Sequence, residues 1–193
     1  MYKDKKQIIE AALSLFNQKG IDSTSVNDII LFSKVSRTVF EEHFESKKDL
    51  IFEIYSEGKK EMYRFVYGEL LDEEDYKVFI KKVFYQATIW GVNHPELYSF
   101  MTQIQIHPLQ WGEEHEIYII VNESIIDKTE KALRNGVIKD LPINFIIHFM
   151  SGMQASCITY IHSLKVMTSE EYEPLMEPMF EVCWDAIKAT DEK

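Results

Sequence analysis

Cysteine, glycine and proline are all scarce in this chain: 2, 7 and 5 among 193 residues. The two cysteines, Cys157 and Cys183, show no CxxC spacing. That excludes a disulfide framework and a four-cysteine zinc site, and both read as reduced core thiols of a cytoplasmic protein. So few glycines and prolines argue against short strands joined by tight turns and favour long helices. No window holds the roughly 20 consecutive apolar residues of a membrane span. The N-terminal Lys3-Asp4-Lys5-Lys6 leads into an amphipathic pattern, not into the apolar core of a signal peptide. Metal motifs are absent too. His115 lies in Glu113-Glu114-His115-Glu116, where neighbours do not share a helix face. His148 and His162 are fourteen residues apart on one expected helix, about 21 Å, too far to share an ion. With no phosphate loop and no nucleophile–base pair in view, neither an enzyme nor a bound cofactor or metal is expected.

What is present is a globular composition, 46% hydrophobic and 27% charged. The net charge of −11 by itself argues against a nucleic-acid partner, but it is unevenly spread. Residues 1–50 hold eight basic and eight acidic residues and are neutral; residues 51–193 hold thirteen and twenty-four. The N-terminal quarter is therefore not repelled by phosphate as the remainder is.

Periodicity predicts an all-helical chain. Ile8, Ile9, Ala12, Leu13 and Phe16 share one helical face, and Gly20 stands where a left-handed residue ends a helix. Ser25 with Asp28 reads as a capping box for a second short helix with Val26, Ile29 and Ile30 inward. After a break at Ser33-Lys34-Val35, Ser36 caps a third short helix carrying Val39, Phe40 and Phe44. Ser46 and Asp49 open a long fourth one that runs to about Gly68. Further helices are expected over 74–92, from Pro95, over 113–135 ending at Gly136, over 142–164, and from Thr168 onward. Residues 103–112, with Pro108, read as a loop or broken helix, and Pro174 and Pro178 as delaying or kinking the last helix.

Three short helices with tight breaks, followed by a long connector, form a helix-turn-helix candidate. A helix of about two turns must lie in the major groove, braced by a second helix packed across it. At this point the sequence resembles the TetR family of transcriptional repressors. Ile9, Ala11-Ala12, Leu15-Phe16, Gly20, Thr24-Ser25-Val26, Asp28-Ile29, Val35-Ser36, Phe40, Phe44, Ser46-Lys47 and Leu50 fall in ungapped register with the family head. Asn93-His94-Pro95-Glu96-Leu97 and Gly136-Val137-Ile138, followed by Asp140-Leu141-Pro142, look like family junctions. The resemblance implies an all-α fold of about nine helices: a helix-turn-helix head over 1–48, and a helical ligand-binding and dimerisation domain over 49–193. It also implies a two-fold dimer through the last two helices.

The departures are specific. The family's turn glycine is Lys34 here, its usual phosphate-binding hydroxyl is Val39, and its phosphate-gripping tyrosine is Glu41. A lost hydrogen bond to a charged group costs roughly 1.5–3 kcal/mol, and a carboxylate beside phosphate repels as well. The candidate DNA-contacting residues are Thr24, Ser25, Lys34, Ser36, Arg37, Thr38, His43, Lys47 and Lys48. Arg37 and Thr38 suit base edges; His43, Lys47 and Lys48 suit phosphates.

The body is rich in aromatics and methionine. Phe84, Trp90, Tyr98, Met101, Trp111, Tyr118, Met150 and Tyr160 are candidate cavity residues, with Thr88, Gln103, His107, Asn122 and Gln154 to orient a mainly apolar effector. Most aromatics and methionines on such helical spacing are simply core, and the polar residues within apolar stretches are the sharper signal. Ile146, Phe149, Met153, Ile161, Phe180 and Trp184 lie on wide apolar faces of the last two helices, expected to form a four-helix homodimer interface. The leading expectation is an effector-responsive DNA-binding repressor. The alternative, motivated by Val39, Glu41, Glu42 and the neutral head, is a dimeric binding module of the same architecture with weak or lost DNA binding.

Overall fold

The computed structural model describes residues 2–68, 70, 73–106, 116–165 and 168–190, with the backbone alone at 2, 105–106 and 116–124. Among these, nine helices follow in order: α1 (Tyr2–Lys19), α2 (Val26–Ser33), α3 (Arg37–Glu41), α4 (Lys47–Tyr67), α5 (Tyr76–Asn93), α6 (Pro95–Ile106), α7 (Glu116–Arg134), α8 (Ile143–Ser163) and α9 (Ser169–Ile187). The all-α expectation is met. The chain groups into two compact units: Met1–Glu61 with His94–Gln110, and Met62–Asn93 with Trp111–Lys193.

The first unit holds the head. In α1, Ile8, Ala11, Ala12, Leu15 and Phe16 are buried at the i, i+3, i+4, i+7, i+8 spacing of one face. Gly20 ends the helix with φ +87, donating its N–H to the Phe16 carbonyl at 3.0 Å. Against this face pack α2, α3 and α6. Phe16 stacks on Phe100 with ring centroids 5.6 Å apart, and Ile29, Phe40, Phe44, Leu50 and Ile51 complete a closed apolar centre. Each such side chain contributes roughly 1.5–3 kcal/mol on burial. Gly58 shows why α4 carries a glycine in mid-helix: a Cβ there would stand 3.0 Å from a Leu97 methyl and 3.2 Å from Met101 Sδ. The compact unit extends past residue 48 to include α6, which packs on α1. Of the stretch 103–112, residues 103–106 are helical and the rest lies outside the described residues.

The second unit is built on α5, α7, α8 and α9. Its core gathers Phe79, Phe84, Ile146, Ile161, Phe180 and Trp184. Tyr76 and Thr129 share a buried hydroxyl–hydroxyl bond of 3.1 Å. Lys77 pairs with Glu181 at 2.9 Å and Lys81 with Glu177 at 2.7 Å, joining α5 to α9. After Gly136, in the left-handed region at φ +68, the chain runs beside the end of α9. There Ile138 and Lys188 form an isolated antiparallel bridge, with Lys139 N–H donating to Ile187 O at 2.8 Å. Cys157 and Cys183 are free thiols, and burial pushes the Cys183 thiol up to about 12.

Pro174 and Pro178 do not delay α9, which starts at Ser169 and contains both. The capping box of Thr168 and Glu171 fixes the start. A stripe of Tyr172, Met176, Phe180, Cys183, Trp184 and Ile187 is buried along one face. Both prolines lie on the exposed side, where carbonyls deprived of an N–H partner can face water. No described helix is long and apolar enough to cross a membrane.

Candidate nucleic-acid interface and effector cavity

Local chemistry shapes the turn between α2 and α3. Ser25 caps α2 in a complete capping box: its hydroxyl accepts from Asp28 N–H at 3.1 Å, and the Asp28 carboxylate accepts from Ser25 N–H at 2.8 Å. The Ser25 hydroxyl and N–H and the Lys19 ammonium together hold the Asp28 carboxyl far below the usual carboxylate range. Lys34 ends α2 in the left-handed conformation, φ 58. That conformation favours glycine, so Lys34 occupies a demanding position and projects an exposed cation there. Ser36 caps α3 by accepting from Val39 N–H at 3.2 Å.

Of the expected DNA-contacting residues, Lys34, Ser36, Arg37 and Thr38 are exposed at the α2–α3 turn and the start of α3, and Lys48 is exposed at the start of α4. Ser25 is exposed but bonded within its box. Three others do structural work. Thr24 is buried, its hydroxyl donating to Gly20 O at 2.8 Å; the Gly20–Thr24 turn closes inward over α1, which removes Thr24 from any surface. Lys47 donates to Ile21 O and Thr24 O, each at 2.9 Å, and so fastens the same turn to the start of α4. His43 has its Nε2 buried and without a hydrogen-bond partner, with its ring beside that of Phe44.

The exposed face of α3 holds a network that the sequence did not reveal. The Arg37 guanidinium reaches Glu41 Oε1 at 3.4 Å and Asn27 Oδ1 at 2.5 Å. Glu41 thus faces a cation of its own helix across an exposed ion pair. Asn27, on α2, was not among the expected residues; its only sequence signal is that it lies ten residues before Arg37 across a tight turn.

In the second unit, a cavity of about 100 Å³ lies among α5, α7 and α8. Phe84, Met150 and Gln154, three of the candidate cavity residues, line it beside Tyr76, Thr129 and Ser151. None of its lining residues is charged, and burial raises the Tyr76 phenol, so it stays neutral. Gln154 donates to Phe84 O at 3.0 Å, tying α8 to α5. Thr88 is buried one turn beyond Phe84, its hydroxyl without a hydrogen-bond partner. Trp90 is also buried in this unit.

Four of the other expected cavity residues lie elsewhere. Tyr98, Met101 and Gln103 sit on α6 in the first unit, where Met101 packs at Gly58 and Gln103 donates to Asn17 at 3.1 Å. Tyr160 is 51% exposed on α8. His107 and Trp111 fall outside the described residues, as do the side chains of Tyr118 and Asn122.

The expected interface residues need the same sorting. Ile146, Ile161, Phe180 and Trp184 are buried inside their own unit; Phe149 and Met153 are half-buried. Both helices are apolar on more than one face, and packing turned these positions inward. A different set faces out: Phe145 at 53%, Tyr160 at 51% and Val182 at 64% exposure.

Comparison with known proteins bears on the head and the fold separately. Residues 8–54 match the family described as "Bacterial regulatory proteins, tetR family". A 51-residue stretch, 26% of this chain, is 47% identical to an HTH-type transcriptional regulator, YuxN, of Bacillus subtilis (strain 168). That match spans 18% of the relative's length. The fold is similar to that of a TetR family transcription regulator from Marinobacter aquaeolei VT8, with TM-score 0.81 and 16% identity, covering 97% of this chain and 96% of the other. A TetR family transcriptional regulator from Chloroflexus aurantiacus J-10-FL gives 0.77 and 14%, over 98% and 95%. A gamma-butyrolactone receptor, described as ArpA-like, gives 0.65 and 14%, over 96% and 97%.

Proposed function

We infer that this chain, which carries a tetR-family head and the overall fold of TetR-family transcription regulators, is a dimeric, effector-responsive repressor of the cytoplasm. The observation that carries the reading is the α2–turn–α3 geometry, with Arg37 and Thr38 exposed at the start of α3 and Lys34 and Lys48 exposed around it. Base readers sit at the N-terminal end of a recognition helix, and cations beside it grip phosphates. Two heads on a two-fold axis would meet a near-palindromic site in major grooves about 34 Å apart.

Dimerisation would use the outward stripe of α8 and α9. Phe145, Phe149, Gly152, Ser156 and Tyr160 recur at i, i+4, i+7, i+11 and i+15, and Val182 and Pro178 lie exposed on α9. Nothing lies within 4 Å of a Cβ built at Gly152, which leaves room for close approach of a second helix. The effector would be uncharged and mainly apolar, because an ion in a cavity without charged walls would lose its hydration uncompensated. At about 100 Å³ the cavity is smaller than the roughly 300–1,000 Å³ of ordinary ligand sites. Binding then requires α5 and α8 to part, and a ligand that prefers the parted state shifts the equilibrium away from the DNA-competent one.

The second reading, a binding module without DNA recognition, is favoured by the exposed Glu41 and Glu42 on α3. Titration of the protein by salt on its own upstream intergenic DNA, beside Arg37→Ala, separates the two. A repressor binds selectively, loses affinity by roughly one log–log slope unit per phosphate gripped, and loses selectivity with Arg37→Ala. Equal binding of random and upstream DNA at low salt would establish the second reading.

A further inference from the structure

Glu41 is an awkward residue for a helix that is to enter a major groove, since DNA repels it. Its contacts give it a different role. Arg37 occupies the first position of α3 and Glu41 lies one turn on, so their side chains meet on one face. From the other side Asn27, on α2, accepts from the same guanidinium. A guanidinium has five N–H donors; these two contacts engage one on each terminal nitrogen and leave three. A guanine edge needs two, to O6 and N7. Arg37 and Glu41 are both 58% exposed, and an exposed pair of this kind adds little to folding stability. Its consequence is orientation: a long side chain otherwise free to sample many rotamers is held before DNA arrives.

We propose that Glu41 and Asn27 are positioning residues which, from opposite sides, aim the Arg37 guanidinium at one guanine of the operator. The carboxylate then faces a cation of its own chain and serves base discrimination through it. The proposal rests on the DNA-binding reading above. It adds that selectivity at one base pair depends on two residues that touch no DNA atom.

The test begins with the wild-type protein selecting duplexes from a random pool at low salt. The selected duplex and its single-base-pair variants then serve as probes for wild type, Arg37→Ala, Glu41→Ala, Glu41→Gln and Asn27→Ala. Wild type is expected to discriminate roughly fivefold to a hundredfold at one G·C pair. Arg37→Ala abolishes that preference. Glu41→Ala and Asn27→Ala each reduce it severalfold, with preferences at all other positions and the salt slope unchanged, and with unaltered melting temperature. Glu41→Gln, which keeps an acceptor oxygen, retains part of it. A merely structural role would lower binding to every duplex alike. The proposal is overturned if Glu41→Ala and Asn27→Ala leave discrimination intact, or if Glu41→Ala tightens binding to all sequences equally, which would make Glu41 a plain repulsive charge. If wild type selects no sequence at all, the DNA-binding reading fails and the proposal falls with it.

Discussion

Adjacent lysines in this head have opposite duties. Lys47 is half-buried and donates to two carbonyls of the 21–24 segment, whereas Lys48 is exposed. Hydrogen bonds to charged groups contribute roughly 1.5–3 kcal/mol when buried, and partial exposure reduces that. Lys47→Met should therefore lower the stability of the protein by about 1–2 kcal/mol, read by denaturant unfolding, because it frees a turn that also holds Thr24. Lys48→Ala should leave stability unchanged. In DNA titrations it should weaken binding to all sequences and reduce the salt slope by about 1. If the two exchange these effects, the assignment of Lys47 to the fold and Lys48 to phosphate is wrong.

Elements here are set by their ends. The box of Ser25 and Asp28 starts α2, and its carboxylate is ionised well below the pH at which an unfolded aspartate protonates, near 3.9. A depressed folded value means that this contribution is complete above about pH 4 and disappears as pH falls through the lower, folded value. Wild type should thus be more stable than Asp28→Asn at pH 7, with the gap closing on acidification. Melting temperatures of both proteins from pH 7 downward measure it; a gap that stays constant would show that the charge does not take part. At the other end of the chain, the box of Thr168 and Glu171 outweighs two prolines. Pro174 and Pro178 remove two helix bonds, but only on the exposed side, while the buried face of α9 stays continuous.

For the molecule as a whole, charge and exposed apolar area divide the labour. The −11 net charge lies outside residues 1–50, so under the proposed function the acidic remainder would be repelled by phosphate and contact would fall to the neutral head. The large apolar residues left exposed on α8 and α9 include Phe145, Tyr160 and Val182, which the proposed dimer would cover with a second copy of the same surface. Phe145→Glu with Val182→Glu should convert a dimer to a folded monomer, because neither side chain supports its own core. Sedimentation equilibrium checks the mass and circular dichroism the fold. Substituting Phe180 or Trp184 should instead unfold the second unit, since both belong to its interior. A dimer that survives the double change would place the interface elsewhere.

Periodicity, capping residues and the left-handed positions were enough to determine that this chain is helical, where most helices begin, and that a helix-turn-helix head opens it. These are local quantities: the 3.6-residue repeat of Ile8 to Phe16, the hydroxyls of Ser25, Ser36 and Thr168, and the freedom of Gly20 and Gly136. Tertiary structure alone decided which of two apolar faces of α8 and α9 turns inward, because a helix that is apolar on both sides specifies burial without specifying a partner. For the same reason it moved Tyr98, Met101 and Gln103 from the cavity into the head, where Gly58 lets α6 approach α4. It also turned Thr24 inward and brought Asn27 to Arg37, since contacts across a turn depend on the angle between helices, which no spacing along the chain records.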